Sequence, residues 1–325
     1  MAQFDLPLAQ LQQYLPDREE APDFDTFWAD TLSSSRALGQ PVVRERTNPE
    51  LANLIVEDVT FSGYGGDPIK GWFIRPAGAT DPLPCIVNYI GYSGGRGLAL
   101  QWTLLPSAGY AVFVMDTRGQ GSGNWPGSTP DPAGSGPQIA GKMSAGLDSP
   151  DTYYYRRVYT DAALAVDAAR SLPEVDSARV VVAGGSQGGG IALAAAGLSD
   201  GIAGALVDVP FLCHFRRALQ ITDSSPFSEL SKYMMANRGS EEAVFRTLSY
   251  FDGVNLAARA TAPALFSVAL ADPVCPPSTV YAAFNHYAGT QKDIAVYPYN
   301  GHEGGGPVQQ ARQLTALAEL LAPSS

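Results

Sequence analysis

The chain has 325 residues, 45% of them hydrophobic, and a formal net charge of −11 from 32 acidic and 21 basic side chains. That is enough chain for one large α/β domain or two small ones, and an acidic surface without a lysine or arginine run argues against nucleic acid or an anionic membrane as partner. The expected partner is a neutral or weakly charged small molecule.

In chain order, residues 7–15 and 24–37 are predicted to be helices, the second capped by Asp23 or Asp25 and ended near Gly39. Residues 1–40 thus read as a helical extension. The opening stretch MAQFDLPLAQLQQYLPDREE has neither a basic leader nor an apolar core, and no segment approaches 18 uninterrupted apolar residues. NLIVEDVTFSGYGGDPIKGWFIRP then alternates apolar and polar residues on both sides of a Gly-Gly-Asp turn, the pattern of a β-hairpin.

From Pro84 the rhythm changes. CIVNYI, AVFVMD, VVVAG, GALVDV, ALFSVAL and finally IAVYPY are apolar runs of strand length separated by helical patterns, so the expected fold is α/β, a mostly parallel central sheet flanked by helices. In TDAALAVDAARSL, Leu164, Ala168 and Leu172 share one helical face, and Asp161 and Asp167 are expected to face water. A last helix is predicted over 308–321. Residues 119–150 are rich in Gly, Pro and Ser and read as an excursion from the sheet. Residues 211–250 look helical and could cover the strand ends as a cap. No linker divides residues 1–325, which are taken as a single domain.

The stretch VVVAGGSQGGG carries chemistry. Ser186 sits between Gly184 and Gly188 at the end of a buried strand and the start of a helix. A sharp strand-to-helix turn that exposes a serine hydroxyl brings strand and helix so close that both flanking positions must lack side chains. Such a turn points the Gln187 N–H at the position of a developing oxyanion. The glycine-rich loop YIGYSGGRG offers the Tyr92 N–H as second donor.

A serine nucleophile needs a base and an orienting acid. Of three histidines, His214 and His286 lie in helical patterns and read as packing or surface residues. His302 follows the last strand in YNGHEGGG, where a loop can reach back over the serine. Asp272, after ALFSVAL, is assigned the acid role, with Asp208 at the end of the preceding strand as the alternative. Glu303 is expected to secure its loop. Tyr92, Pro210 and Phe211 are candidates for the walls of a small acyl pocket. Cys85, Cys213 and Cys275 are scattered without CxxC spacing and suit reduced thiols in a cytoplasm. Neither a metal nor an organic cofactor is expected, and the positions of Cys275 and His214 relative to the site are left open.

These residues, together with RGQG at Arg118 to Gly121, LDSPDTYYYRRVYTDA, DVPFLCHFRRAL and HE at His302 and Glu303, make the chain similar over nearly its whole length to carbohydrate esterase family seven. That family comprises acetyl xylan esterases and cephalosporin-C deacetylases. The resemblance implies an α/β-hydrolase fold and a serine esterase acting on acetylated xylo-oligosaccharides, other acetylated sugars or cephalosporin C. Ser186, His302 and Asp272 would form its triad, with the Tyr92 and Gln187 N–H groups as oxyanion donors. It also implies a structural role for Arg118, Gly119 and Gln120, and a hexamer to which the 119–150 insertion contributes an interface. Ile90 departs from the pattern, since relatives often carry histidine just before the Gly-Tyr pair. A general short-chain carboxylesterase, a prolyl-oligopeptidase-type peptidase and a non-catalytic binding protein of the same fold are the competing readings.

Overall fold

The computed structural model describes residues 3–47, 50–123, 125–133 and 141–322. The N-terminal extension carries α1 (Leu8–Leu11) and α2 (Phe24–Arg36). The first is far shorter than the predicted 7–15, because Pro16 disfavours a helical Leu15 and the exposed Leu15 has no apolar surface to pack on. Asp23 occupies the N-cap of α2 without a side-chain capping bond. Its carboxylate takes the Tyr250 hydroxyl instead, and Asp25 pairs with Arg259 at 2.6 Å.

Among the described residues nine strands form one sheet. They are β1 (Val43–Thr47), β2 (Leu54–Ser62), β3 (Pro68–Pro76), β4 (Leu83–Tyr89), β5 (Ala111–Met115), β6 (Val175–Gly185), β7 (Gly204–Asp208), β8 (Ala264–Ala269) and β9 (Lys292–Tyr297). Their order is β1-β2-β3-β5-β4-β6-β7-β8-β9. The predicted hairpin is β2–β3, in register from Leu54↔Pro76 to Ser62↔Pro68. It joins β5 antiparallel, and β5, β4, β6, β7, β8 and β9 then run parallel. Strand β1 was not anticipated, because VRERT is a charged edge strand without alternation, the composition that keeps an open edge from recruiting another chain.

Burial on both faces explains the apolar runs. Along β6, Val180 and Val182 pack into the large cluster under α4 (Tyr154–Arg170) and α5 (Gln187–Leu198), while Val181 and Ala183 pack into a second cluster. That second cluster includes Leu317 and Leu321 of the C-terminal segment, whose helix is α11 (Gly306–Leu320), and Leu105 of α3 (Leu104–Ser107). Period-two alternation therefore buries both sides of the strand.

Helix α4 corrects one expectation. Asp167 does pair at the surface, with Arg36 at 2.9 Å, but Asp161 is fully buried. Its carboxylate meets the Arg118 guanidinium in a fork of 2.6 and 2.8 Å, and Arg118, itself fully buried, also reaches Asp67 at 2.8 Å. Burial pushes the Asp161 carboxyl up against the downward pull of Arg118.

The 119–150 stretch contains neither helix nor strand among its described residues; 124 and 134–140 lie outside them. It is pinned by Gly119 N–H to the Thr129 carbonyl at 2.8 Å and by Asp131 to Arg157 at 2.8 Å. Residues 211–250 form α6 (Phe215–Ile221), α7 (Phe227–Ala236) and α8 (Glu241–Leu248). Two further helices, α9 (Gly253–Ala257) and α10 (Pro277–His286), complete the layer over α5 and β8. Among the described residues no helix is long and apolar enough to cross a membrane.

Candidate active site

The carboxyl ends of β4, β6, β7, β8 and β9 lie along one edge of the sheet, where a parallel sheet presents its loops and the first turns of its helices. Strand β6 stops at Gly185. Ser186 then takes φ 57° and ψ −123°, a conformation an L-residue adopts only under restraint, and α5 begins at the next residue. The restraint is visible: Ser186 N–H donates to the Asp208 carbonyl at 3.0 Å, and Phe211 N–H donates to the Ser186 carbonyl at 2.9 Å. A methyl group on Gly184 would lie 2.3 Å from the Gly188 carbonyl oxygen, and one on Gly188 would lie 2.4 Å from that of Tyr89. The two flanking glycines are therefore required by backbone approach.

The turn sets the Ser186 Oγ 3.0 Å from His302 Nε2. On the far side of the imidazole, Nδ1 lies 2.9 Å from Asp272 Oδ2. Asp272 is fully buried, and its Oδ1 accepts the Val274 and Cys275 N–H groups at 2.8 and 3.0 Å, which fixes the carboxylate plane. An ionised Asp272 requires the proton on Nδ1, so the network assigns the Nε2 lone pair to the serine hydroxyl. His302 rides on the loop after β9. There Glu303 is bonded to the Asn300 side chain and to Gly301 N–H at 3.0 Å, and the Asn300 bond holds its carboxyl below the usual range. Glu303 thus braces the loop.

Asp208 lies elsewhere. It shares a face of β7 with Leu206, the face covered by α11, and its two oxygens accept Gln309 Nε2 at 2.8 Å and Gln313 Nε2 at 2.6 Å. Burial pushes its carboxyl up to about 6. Only its backbone carbonyl serves the turn.

Neither the Tyr92 nor the Gln187 N–H has a protein acceptor among the described residues, and the side chains of both are tied down. The Tyr92 hydroxyl donates to Glu229 of α7 and accepts the Lys142 N–H. The Gln187 amide donates to the Ile90 carbonyl at 3.0 Å and accepts from the Tyr155 hydroxyl at 2.9 Å and from Gln120 Nε2 at 2.8 Å. Gln120 Oε1 in turn accepts Ser93 N–H at 2.7 Å. The RGQ stretch therefore joins the loop after β4 to the turn after β6, while Arg118 anchors it in the interior. Ile90 is buried among Val112 and Val114, so a side chain packed in the apolar layer contributes only its carbonyl to this network.

Five residues are placed differently from expectation or were not foreseen. Pro210 and Phe211 are buried, Phe211 to 1%, with the Phe211 ring sealed against Tyr92 and against Phe227 of α7. They back the site without offering it an open wall, which leaves half-buried Tyr92 as the pocket candidate. Glu229 and Tyr155 carried no local signal, because their roles depend on elements distant in sequence. Cys275 does lie in the site, its Sγ within 4.8 Å of a ligating atom of both Asp272 and His302. His214, edge-on to Tyr14, and His286, with Nε2 2.7 Å from the Pro16 carbonyl oxygen, pack against the N-terminal extension away from the triplet.

A family model described as acetyl xylan esterase (AXE1) matches residues 1–320. Among solved structures, an acetyl xylan esterase from Paenibacillus sp. R4 is 41% identical with a TM-score of 0.91, over 97% of this chain and 99% of that one. Acetyl xylan esterase 1 from Thermoanaerobacterium sp. JW/SL YS485 is 33% identical with a TM-score of 0.90, over 98% of this chain and 100% of that one. Among curated proteins, the acetyl esterase Axe7A of Xylanibacter ruminicola is 33% identical over 162 residues, 50% of this chain and 36% of that protein, so the match spans about a third of that relative's length. Solved α/β-hydrolase structures of far lower identity share the fold.

Proposed function

The chain belongs to the acetyl xylan esterase family and is a carboxylic ester hydrolase, and on that premise we propose that it releases acetate from small acetylated sugars, acetylated xylo-oligosaccharides foremost, through an acyl-enzyme on Ser186. The observation that carries this reading is the line of hydrogen bonds from Ser186 Oγ through His302 to the buried Asp272.

In this mechanism His302 Nε2 takes the Ser186 proton as the hydroxyl attacks the acetyl carbonyl. The imidazolium that forms is stabilised by Asp272 and then protonates the departing sugar alcohol. Water, deprotonated by the same nitrogen, attacks the acetyl-serine and releases acetate. The Tyr92 and Gln187 N–H groups receive the carbonyl oxygen as it gains charge, each contributing about 3 kcal/mol to the transition state. Because Gln120 and Gln187 hold both donors before substrate arrives, little reorganisation is required at the moment of reaction.

The reading extends to cephalosporin C as a further acetyl ester, and to a hexameric protein of the cytoplasm. The family resemblance of the 119–150 segment supports the assembly, and three buried free cysteines suit a reducing compartment. Light scattering tests the first of these two. The central test is hydrolysis of nitrophenyl esters from acetate to octanoate by the unmutated protein and by Ser186→Ala. A steep preference for acetate, lost in the variant, is expected. A preference for longer chains would move the enzyme to the general carboxylesterases, and an active variant would remove Ser186 from the mechanism.

A further inference from the structure

The ester chemistry leaves one potential metal-ligating side chain beside the triplet unused. Cys275 is fully buried on the turn after β8, and its N–H donates to Asp272 at 3.0 Å. One ligand atom from each of Asp272, Cys275 and His302 falls within 4.8 Å of the other two, and among the described residues no other three His, Cys, Asp or Glu side chains gather in this way. We propose that Asp272, Cys275 and His302 bind a thiophilic divalent cation of the zinc class, and that the bound ion switches the esterase off.

The donor set selects the ion. A thiolate with an imidazole suits zinc or cadmium, whereas magnesium and calcium prefer oxygen donors throughout. With metal–sulfur bonds of about 2.3 Å and metal–nitrogen or metal–oxygen bonds of about 2.0 Å, neighbouring donors in a tetrahedral site stand roughly 3.3 to 3.6 Å apart. The triplet must therefore close by up to about 1.2 to 1.5 Å at its widest. His302, 35% exposed at its side chain, can supply that movement and also gives the ion an open approach. Three protein donors leave the fourth position to water. On binding, the Cys275 S–H bond breaks, its proton passes to solvent, and the thiolate pair forms the metal–sulfur bond. Burial and the Asp272 charge push this thiol well up, so the ion must displace a firmly held proton.

Inhibition follows from the shared imidazole. An ion on Nε2 occupies the lone pair that accepts the Ser186 proton, and an ion on Nδ1 displaces the Asp272 bond that fixes the tautomer. The inhibition rests on the esterase reading above; the binding does not.

The test titrates the full chain with cadmium, following thiolate-to-cadmium charge-transfer absorbance, alongside acetyl-ester hydrolysis in zinc with and without a chelator. One equivalent of band per chain is expected, retained in Ser186→Ala and Cys213→Ser and lost in Cys275→Ser, with circular dichroism checking each fold. Zinc should lower the rate of the unmutated protein at least tenfold, a chelator should restore it, and magnesium at equal concentration should leave it unchanged. No band in the unmutated chain, or a band that survives Cys275→Ser, would overturn the site. Equal inhibition by magnesium would do so even if the Cys275 variant failed to fold. A normal band on a chain without esterase activity would instead overturn the proposed function and leave the cation site standing.

Discussion

The Tyr92 hydroxyl rests on both oxygens of the Glu229 carboxylate, 3.0 and 2.9 Å away, so a helix of the 211–250 segment holds the loop that carries the proposed oxyanion donor. The Lys142 and Met143 N–H groups reach the same pair. Three segments far apart in sequence thus meet at one carboxylate, and burial pushes both the carboxyl and the phenol up.

Replacing Glu229 by alanine leaves the Tyr92 hydroxyl and the Met143 N–H without their acceptor, at a cost of about 1 to 3 kcal/mol in stability. If Glu229 positions the Tyr92 N–H, kcat for acetyl esters falls about tenfold with KM nearly constant, a loss confined to the transition state, and Glu229→Gln recovers most of it. A rise in KM at constant kcat would place the Tyr92 side chain against substrate and remove the positioning role.

Asp272→Asn should lower kcat by roughly 10³ to 10⁴ with the fold intact, because an amide no longer holds the productive tautomer of His302. Asp208→Asn should stay within about threefold, since only the backbone of Asp208 touches the turn. Steady-state rates on one acetyl ester decide between them, and the reverse order would move the acid role to Asp208.

Asp208 also gives a stability signature. Its folded pKa of about 6 stands above the unfolded carboxylate value, so its contribution is present below the unfolded pKa and is lost as pH rises through about 6. Measured by urea denaturation, Asp208→Asn should therefore gain on the parent between pH 4 and pH 7, by at most about 2 kcal/mol given the partial exposure of the residue. A constant difference across that range would contradict the raised value.

Gly188→Ala sets a methyl 2.4 Å from the Tyr89 carbonyl oxygen, a backbone atom at the end of β4 that cannot rotate away. The strain should exceed the usual overpacking cost of about 1 to 3 kcal/mol and displace the Gln187 N–H with it. Gly78→Ala meets nothing within 4 Å and should be neutral. Thermal melts of the two variants provide the comparison.

Asp161→Ala removes the two-bond fork from a buried guanidinium, leaving it Asp67 at 2.8 Å, and should cost about 3 to 5 kcal/mol. Pairing it with Arg118→Met should recover part of that loss, since the remaining interior would carry one charge fewer. A double variant no better than the single would indicate that Asp67 and Asp131 already satisfy Arg118.

The strands from β4 to β9 and the turn around Ser186 were legible because their signals are short-range. Apolar runs report burial on both faces, and the glycines flanking Ser186 report a backbone approach within one turn of chain. The length of α1, the edge strand β1 and the burial of Asp161 were not legible. The first two lack periodicity, and the third depends on Arg118, which comes from another part of the chain.

The amino-acid order alone therefore determined the α/β architecture, the strained turn at Ser186 and the loop of His302, because sterics and periodicity act between near neighbours. The sequence favoured Asp272 over Asp208 as the acid, but only tertiary structure supplied the contact behind that choice. Asp208, at the end of β7, turns toward α11, while Asp272, on the turn after β8, lies beside the imidazole. Tertiary structure also brought Glu229 under Tyr92 and Cys275 near His302, side chains that meet only once the sheet has ordered its strands.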